Sequence, residues 1–225
     1  MMNTMILLAA APAAETELSL WDMILKGGWL MIPIFLLSLV AVYIFFERFR
    51  LLRDASRLAP QLMENLRGRL LSRNLLQAHA LCRTDNTPAA RMLDKGLHHL
   101  SLPAAELRAI MENAANREIA EMERGLNTLA TCSGMAPMLG FLGTVIGMIQ
   151  AFYDMALAGN NINITLLSRG IYTAMVTTVA GLIVGIIAHF AYNLLTARID
   201  RVAARLEATL GDFLETVHET RNTQI

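Results

Sequence analysis

Four threonines and one histidine are the polar side chains whose spacing indicates ion-transport chemistry. Thr173, Thr177 and Thr178 lie in one uncharged run, Thr144 lies in another, and His189 follows Thr178 by 11 residues. Hydroxyl groups can line and hydrate a proton path, but they hold no charge at neutral pH. A single threonine in an apolar helix is usually bonded to the carbonyl of the preceding turn. A cluster on two spans favours a polar lining, with His189 near its inner end.

Three membrane-spanning helices are predicted to position these side chains, over residues 27–46, 125–154 and 170–195. Each contains an uncharged run of at least 20 residues, and a hydrocarbon core requires about 20 apolar residues per helix. The whole chain is 55% hydrophobic and 17% charged, which is too apolar for an ordinary soluble domain. We therefore predict an all-α membrane protein with three transmembrane helices and long cytoplasmic helical extensions.

The distribution of Lys and Arg predicts the orientation. Residues 47–124 carry 13 of them and residues 196–225 carry four, whereas residues 1–26 and 155–169 carry one each. Because positive charge stays in the cytoplasm, residues 47–124 are a predicted cytoplasmic helical domain and residues 196–225 a cytoplasmic C-terminal helix. Residues 1–26 and 155–169 are then the periplasmic N-terminus and link. The first residues also resemble a signal peptide without its basic region.

The cytoplasmic segments carry helical patterns with two breaks, at Thr84–Pro88 and Ser101–Pro103. From residue 104 the pattern predicts one long helix that enters the second span and bends at Pro137. After the third span an apolar stripe continues along the tail at spacings of three and four residues. We expect this stripe to pack against the middle segment, against other copies of the chain, or both. Its members are Leu195, Ile199, Val202, Leu206, Leu210, Phe213 and Val217.

Small residues form one face on each of the second and third spans, and small faces let helices approach closely in lipid. Their positions are Gly140, Gly143, Gly147, Ala151, Ala174, Gly181 and Gly185. Thr144 lies 10 residues before Asp154, and Thr178 lies 9 residues after Arg169. At 1.5 Å per residue, both threonines are therefore expected roughly 15 Å below the outer surface.

Apart from Asp154 at the outer end of the second span, the predicted spans contain no Asp, Glu, Lys or Arg. Such residues inside a membrane are costly and are usually functional. Since hydroxyls cannot hold a charge, a proton path through this chain requires an acid from a second protein.

The segments GMAPMLGFLGTVIGMIQAF and GIYTAMVTTVAGLIVGIIAHFAYN resemble the ExbB/TolQ/MotA family of proton-channel stator subunits. The segment GGWLMIPIFLLSLVAVYIFFER resembles the first span of the ExbB branch. The resemblance implies a pentameric inner-membrane ring around the membrane helices of an ExbD-like or TolR-like dimer, each helix with one Asp. Proton flow would drive motion that a TonB-like protein passes to outer-membrane transport.

By this resemblance, Thr144 matches the threonine of the family's GTVxG motif, and Thr178 matches its threonine in the third span. Thr173 stands where many relatives carry a glutamate, because GIYTAM replaces GIAEAL. That difference leaves the coupling ion open, although the family implies a proton.

Two other functions stay open at this stage: a TolQ-like role in envelope maintenance, and a membrane scaffold whose cytoplasmic helices carry the function. An enzyme is not expected, because His79, His98 and His99 lie among leucines and alanines without a convergent acid, cysteine or serine. Cys82 and Cys132 lack metal-site spacing and are predicted packing residues. We therefore predict no cofactor and no metal. The 19 acidic and 19 basic residues leave no basic surface for nucleic acid.

Overall fold

The structure is a computed structural model that describes residues 27–55, 59–72, 74–85, 87–158 and 164–222. These residues form the helices α1 Met31–Ala55, α2 Ala59–Leu71, α3 Leu75–Thr84, α4 Pro88–His98, α5 Ala104–Glu123, α6 Leu126–Ala158 and α7 Ile164–Asn222. No strand occurs within those ranges, which confirms the predicted all-α class. The predicted N-terminal segment 1–26 lies outside the described residues.

Three stretches of helix are long and apolar enough to cross a membrane: Met31–Arg53, Ala104–Ala158 and Leu167–Arg221. The second and third contain the predicted spans 125–154 and 170–195, and the first overlaps the predicted span 27–46 from Met31 onward. Large apolar side chains project from all three, with Phe35 60%, Phe141 67% and Phe190 70% exposed on the isolated chain. Lipid or other protein must cover faces of this kind, because a soluble chain rarely leaves such large apolar patches in water.

Both predicted breaks between residues 47 and 124 are confirmed. The Thr87 side chain accepts a hydrogen bond from the Ala90 N–H, and Pro88 occupies the first turn of α4, where no N–H is needed. The second break separates the end of α4 at His98 from Ala104, the first residue of α5. These two breaks therefore follow from capping and proline chemistry that is readable in the sequence.

The prediction of one uninterrupted helix from residue 104 into the membrane is wrong. Helix α5 ends at Glu123, and α6 begins at Leu126 after Gly125, whose φ of +86° is one that glycine adopts without strain. The buried Arg48 side chain of α1 donates a hydrogen bond to the Glu121 carbonyl at 3.0 Å, in the last turn of α5. A cation there is favourable, because the C-terminal carbonyls of a helix carry partial negative charge. Pro137 lies inside α6, which continues through it.

The chain divides into two compact units. The unit formed by Phe35–Pro137 and Leu182–Ile225 has a core in which all seven residues of the tail stripe are buried together with apolar residues of α2 to α5. A Cβ at Gly96 would lie only 3.0 Å from Phe213 Cε1, so the absence of a side chain at Gly96 makes room for this ring. The predicted packing of the tail on the middle segment is confirmed.

Polar contacts also join the tail to the middle segment of this unit. The Arg67 guanidinium donates to both carboxylate oxygens of Glu219, at 2.9 and 3.1 Å. The Arg221 guanidinium donates to the carbonyls of Leu100 and Leu102, between α4 and α5.

Candidate functional site

The candidate site lies in the other unit, which comprises residues 27–34, 138–158 and 164–181 of the described chain. Here α6 and α7 meet along a seam of small residues. A Cβ at Gly143 would lie 2.2 Å from Thr177 Oγ1, and a Cβ at Gly140 would lie 2.9 Å from the Thr177 carbonyl oxygen. Separations this short show that the two backbones approach more closely than any side chain on these glycines would permit.

The seam continues toward the C-terminal end of α6 and the N-terminal end of α7. A Cβ at Gly147 would lie 2.8 Å from the Ala174 Cβ, and a Cβ at Gly170 would lie 2.6 Å from the Ala151 Cβ. Ala151 and Ala174 are both almost completely buried. Gly170 was not among the packing residues predicted from the sequence, because it was treated only as the start of the third span.

The two remaining predicted packing glycines, Gly181 and Gly185, belong to different units. A Cβ at Gly140 would lie 3.3 Å from the Gly181 Cα, so Gly181 belongs to the seam. In the other unit, a Cβ at Gly185 would lie 2.4 Å from Pro137 Cγ and 3.0 Å from the Ser133 carbonyl oxygen. The absence of a side chain at Gly185 therefore leaves room for the ring of Pro137 in α6.

Thr178 bridges the two helices through its hydroxyl. Its Oγ1 donates to the Gly140 carbonyl across the seam at 2.9 Å and lies 3.3 Å from the Ala174 carbonyl of its own helix. In lipid, such interhelical bonds contribute about 0.6 kcal/mol on average and at most about 1.7 kcal/mol. The side chain is half-buried, so it belongs to the edge of the seam rather than to its centre.

Thr177 occupies the centre of the seam. It is 1% exposed, and its hydroxyl donates to the Ala174 carbonyl at 2.9 Å and lies 3.3 Å from the Thr173 carbonyl. This is the bond to the preceding turn that a single threonine in an apolar helix usually makes. Its hydroxyl also packs against Gly143, which directs it toward α6.

Thr144 is half-buried on α6, and its hydroxyl donates to the Phe141 carbonyl of its own helix. The level of Thr144 follows from its neighbours in the seam, because Gly143 lies against Thr177 and Gly147 against Ala174. Thr144 is therefore level with about residue 176 of α7, two residues from Thr178. At 1.5 Å per residue, the Thr144 and Thr178 positions differ by roughly 3 Å in depth.

Thr173 and His189 lie apart from the seam contacts. Thr173 is half-buried, and its methyl carbon lies 3.7 Å from the position of a Cβ at Gly28, just before α1. His189 belongs to the other unit, where its side chain is exposed on α7. Of the five predicted pathway residues, the structure thus brings Thr177 and Thr178 to the seam with α6 and places Thr144 beside them.

The histidines of α3 and α4 correct another expectation. We predicted that no acidic group converges on them, but Asp94 Oδ1 lies 2.7 Å from His79 Nδ1 and 3.9 Å from His98 Nδ1. The sequence pattern did not reveal this because His79 belongs to α3, and only the pairing of α3 with α4 brings it to Asp94. Cys82 is buried nearby, and burial, reinforced by Asp94 and Asp85, raises the pKa of its thiol to about 12.

Comparison with known proteins identifies the family. Residues 84–208, more than half of the chain, match the model of the MotA/TolQ/ExbB proton channel family. The chain belongs to the MotA/TolQ/ExbB proton channel family. The matched region runs from the end of α3 through most of α7 and contains the whole seam. The family consists of proton channels and not of enzymes. This membership and the three helices that can span a membrane together indicate a multi-pass protein of the inner membrane.

Three relatives show how far the similarity extends. An ExbB homolog of Methanothermobacter thermautotrophicus is 30% identical over 83% of this chain and 66% of its own length. The ExbB-like 1 protein of Synechocystis is 34% identical over 79% of this chain and 71% of its own. The Tol-Pal system protein TolQ of Haemophilus influenzae is 36% identical over 47% of this chain and 44% of its own. The chain thus spans about two thirds of the two ExbB relatives and under half of the TolQ relative.

Proposed function

We propose that this chain is the channel-forming subunit of a membrane stator that converts the proton motive force into mechanical work. The observation that carries the proposal is the α6–α7 seam, where threonine hydroxyls lie near the middle of two uncharged spans. Thr178 already bonds across the seam, and Thr144 lies within roughly 3 Å of the same depth. The seam therefore supplies polar groups for a proton path without supplying a charge carrier.

The carrier comes from a partner in this proposal. Apart from Asp154 at the outer end of the second span, the predicted spans contain no Asp, Glu, Lys or Arg, and a hydroxyl does not ionise at neutral pH. An ExbD-like or TolR-like dimer with one membrane Asp per subunit would supply the acid. A ring of this chain would enclose the two partner helices, and the resemblance to the family gives five copies. The exposed apolar faces of α1, α6 and α7 provide surface for both lipid and ring contacts.

The proposed coupling ion is the proton. Thr173 replaces the glutamate of many relatives near the outer end of the path, so hydration there depends on a hydroxyl. His189 is exposed on the cytoplasmic half of α7 and is available to relay protons at the inner end. This arrangement needs no group of side chains that binds sodium, because the partner's Asp carries the ion by gaining and losing a proton.

The work performed is proposed to be the energising of outer-membrane transport through a TonB-like protein. The ExbB homolog and the ExbB-like protein, which match most of the chain, favour this output. The TolQ relative favours a second candidate, a stator for envelope maintenance. In both cases the N-terminus lies in the periplasm and the C-terminus in the cytoplasm, as the distribution of Lys and Arg predicts.

Proton flux into liposomes tests the proposal. The purified chain alone is expected to give flux close to that of empty liposomes, because its spans lack an ionisable carrier. Flux should rise when the Asp-bearing partner is reconstituted with it and fall back when that Asp is changed to Asn. Native mass spectrometry of the same sample, in mild detergent, should give five copies of this chain.

Strong proton-selective flux from the chain alone would contradict the requirement for a partner acid. Flux that survives the partner's Asp-to-Asn change would place the carrier elsewhere. A sample that contains only monomers and dimers would rule out the ring.

A further inference from the structure

The helical hairpin of α3 and α4, on the cytoplasmic side, brings together two imidazoles and a carboxylate. His79 extends from α3, whereas Asp94 and His98 lie one turn apart on α4. One ligand atom from each of the three residues lies within 4.8 Å of the others. The two imidazole rings also meet edge to face, with centroids 4.3 Å apart. The cluster plays no part in the proposed channel function.

The distances around Asp94 are close to those of a metal site. Its Oδ1 lies 2.7 Å from His79 Nδ1 and 3.9 Å from His98 Nδ1. Zinc binds nitrogen and carboxylate oxygen at about 2.0–2.2 Å in tetrahedral geometry, which separates ligand atoms by roughly 3.3 Å. The two observed distances lie on either side of this value. A metal ion could therefore replace the shared hydrogen bond with side-chain shifts of less than about 1 Å at Asp94 Oδ1.

Access and orientation also suit a metal. His98 is 51% exposed at its side chain, so an ion can reach the cluster from solvent and this ring can reorient. His98 Nδ1 also lies 2.7 Å from the Asp94 carbonyl oxygen, and binding a metal through this nitrogen replaces that contact.

The chemistry of the three donors restricts the ion. Two neutral imidazoles and one carboxylate form a borderline set that suits Zn²⁺ and not Mg²⁺ or Ca²⁺, which require several oxygen ligands. Three protein ligands leave the fourth tetrahedral position to water.

We propose that His79, Asp94 and His98 form a Zn²⁺ site that joins α3 to α4 in the cytoplasmic region. The bound ion replaces the direct contact between His79 and Asp94, and it recruits His98 as the third ligand. Because only the folded hairpin assembles the three donors, Zn²⁺ stabilises this region by binding to the folded state alone.

Competition between the full chain, purified in detergent without a histidine tag, and a chromophoric zinc chelator tests the site. The expected result is one Zn²⁺ per chain at micromolar or tighter affinity. His79→Ala, His98→Ala and Asp94→Asn should each weaken binding by about tenfold or more, since each removes one ligand. The melting temperature of the unmodified chain should rise with Zn²⁺, and this rise should be lost in the three variants.

His99→Ala is the matched control. His99 is adjacent to His98, and its Nδ1 lies 2.9 Å from the Lys95 carbonyl, the same kind of contact that His98 makes. It is not a member of the cluster, so this variant should bind Zn²⁺ within about twofold of the unmodified chain, well below the effect of removing a ligand. Unchanged binding in both His79→Ala and His98→Ala would overturn the proposal. So would equal loss in His99→Ala, or the absence of saturable binding below millimolar Zn²⁺.

A second measurement avoids substitutions that could disturb folding. Diethylpyrocarbonate modifies accessible imidazoles, and peptide mass spectrometry reports each histidine separately. On the unmodified chain, Zn²⁺ should protect His79 and His98 from modification while His99 continues to react. Equal modification of His98 with and without saturating Zn²⁺ would refute the site.

Discussion

Replacing Gly143 with alanine tests the α6–α7 seam at its tightest point. The new methyl group would lie 2.2 Å from Thr177 Oγ1 and 2.7 Å from Thr177 Cβ. Thr177 cannot retreat easily, because it is 1% exposed and its hydroxyl is bonded to its own helix. Since ordinary contacts of this type begin near 3.4 Å, the helices must separate by about 1.2 Å or Thr177 must leave its position.

The expected magnitude combines three terms. Overpacking of a close interface costs about 1–3 kcal/mol. A separation of about 1.2 Å would lengthen the 2.9 Å bond from Thr178 to the Gly140 carbonyl beyond hydrogen-bonding range, at a further cost of about 0.6 kcal/mol. Alanine gains up to about 1 kcal/mol over glycine in a helix, which offsets part of the loss. We expect Gly143→Ala to destabilise the chain by about 0.6–2.6 kcal/mol.

Unfolding in detergent by titration with sodium dodecyl sulfate, followed by circular dichroism, measures this change. Gly134→Ala is the matched control, because Gly134 lies in the same helix and a Cβ there would meet no heavy atom within 4 Å among the described residues. It should be neutral or stabilising by up to about 1 kcal/mol. Equal stability of the two variants would refute the close approach at Gly143. A Thr177→Ala change combined with Gly143→Ala should recover part of the loss, since it removes the atom nearest to the new methyl group.

Two further predictions concern hydroxyl and thiol groups. Thr144→Val and Thr178→Val should each reduce partner-dependent proton flux in liposomes while the complex stays assembled, with Thr173→Val less harmful and Thr177→Val tolerated because that hydroxyl bonds its own helix. Silent changes at Thr144 and Thr178 together with abolished flux at Thr177 would mean that another face lines the path. Because burial raises the pKa of Cys82 to about 12, its thiol should remain protonated at pH 8 and be alkylated much more slowly in the folded chain than in the denatured chain. Equal alkylation rates in the folded and denatured chain, followed by mass spectrometry, would contradict this.

Local patterns predicted much of the fold. The stripe from Leu195 to Val217 is periodic, and periodicity alone indicates a buried face. Thr87 and Pro88 combine a side-chain cap with a residue suited to the first helical turn, so the start of α4 was readable. The small residues of α6 and α7 recur at the spacing of the helical turn, so they form one face on each helix. These two faces predicted that the helices approach each other closely.

Other features depend on partners that are distant in sequence. Gly125 ends α5 through a positive φ, but glycine inside a helical pattern is also tolerated, and no neighbouring residue distinguishes the two cases. The acceptor for Thr178 is the backbone carbonyl of Gly140, which no side-chain pattern encodes. Asp94 faces His79 only because two helices pair, and a spacing of 15 residues carries no periodic signal.

The contact between Arg48 and the Glu121 carbonyl has a consequence for the order of events during synthesis. The two residues are 73 positions apart, so at about 5–20 residues per second the ribosome needs roughly 4–15 seconds after Arg48 to complete the acceptor. During that interval α1 is already available for insertion, while the turn that receives its guanidinium does not exist. The bond therefore cannot help to choose the direction in which the first helix inserts. During that interval Arg48 can act on insertion only through its charge, and the same charge later binds the Glu121 carbonyl when the following helices pack over it.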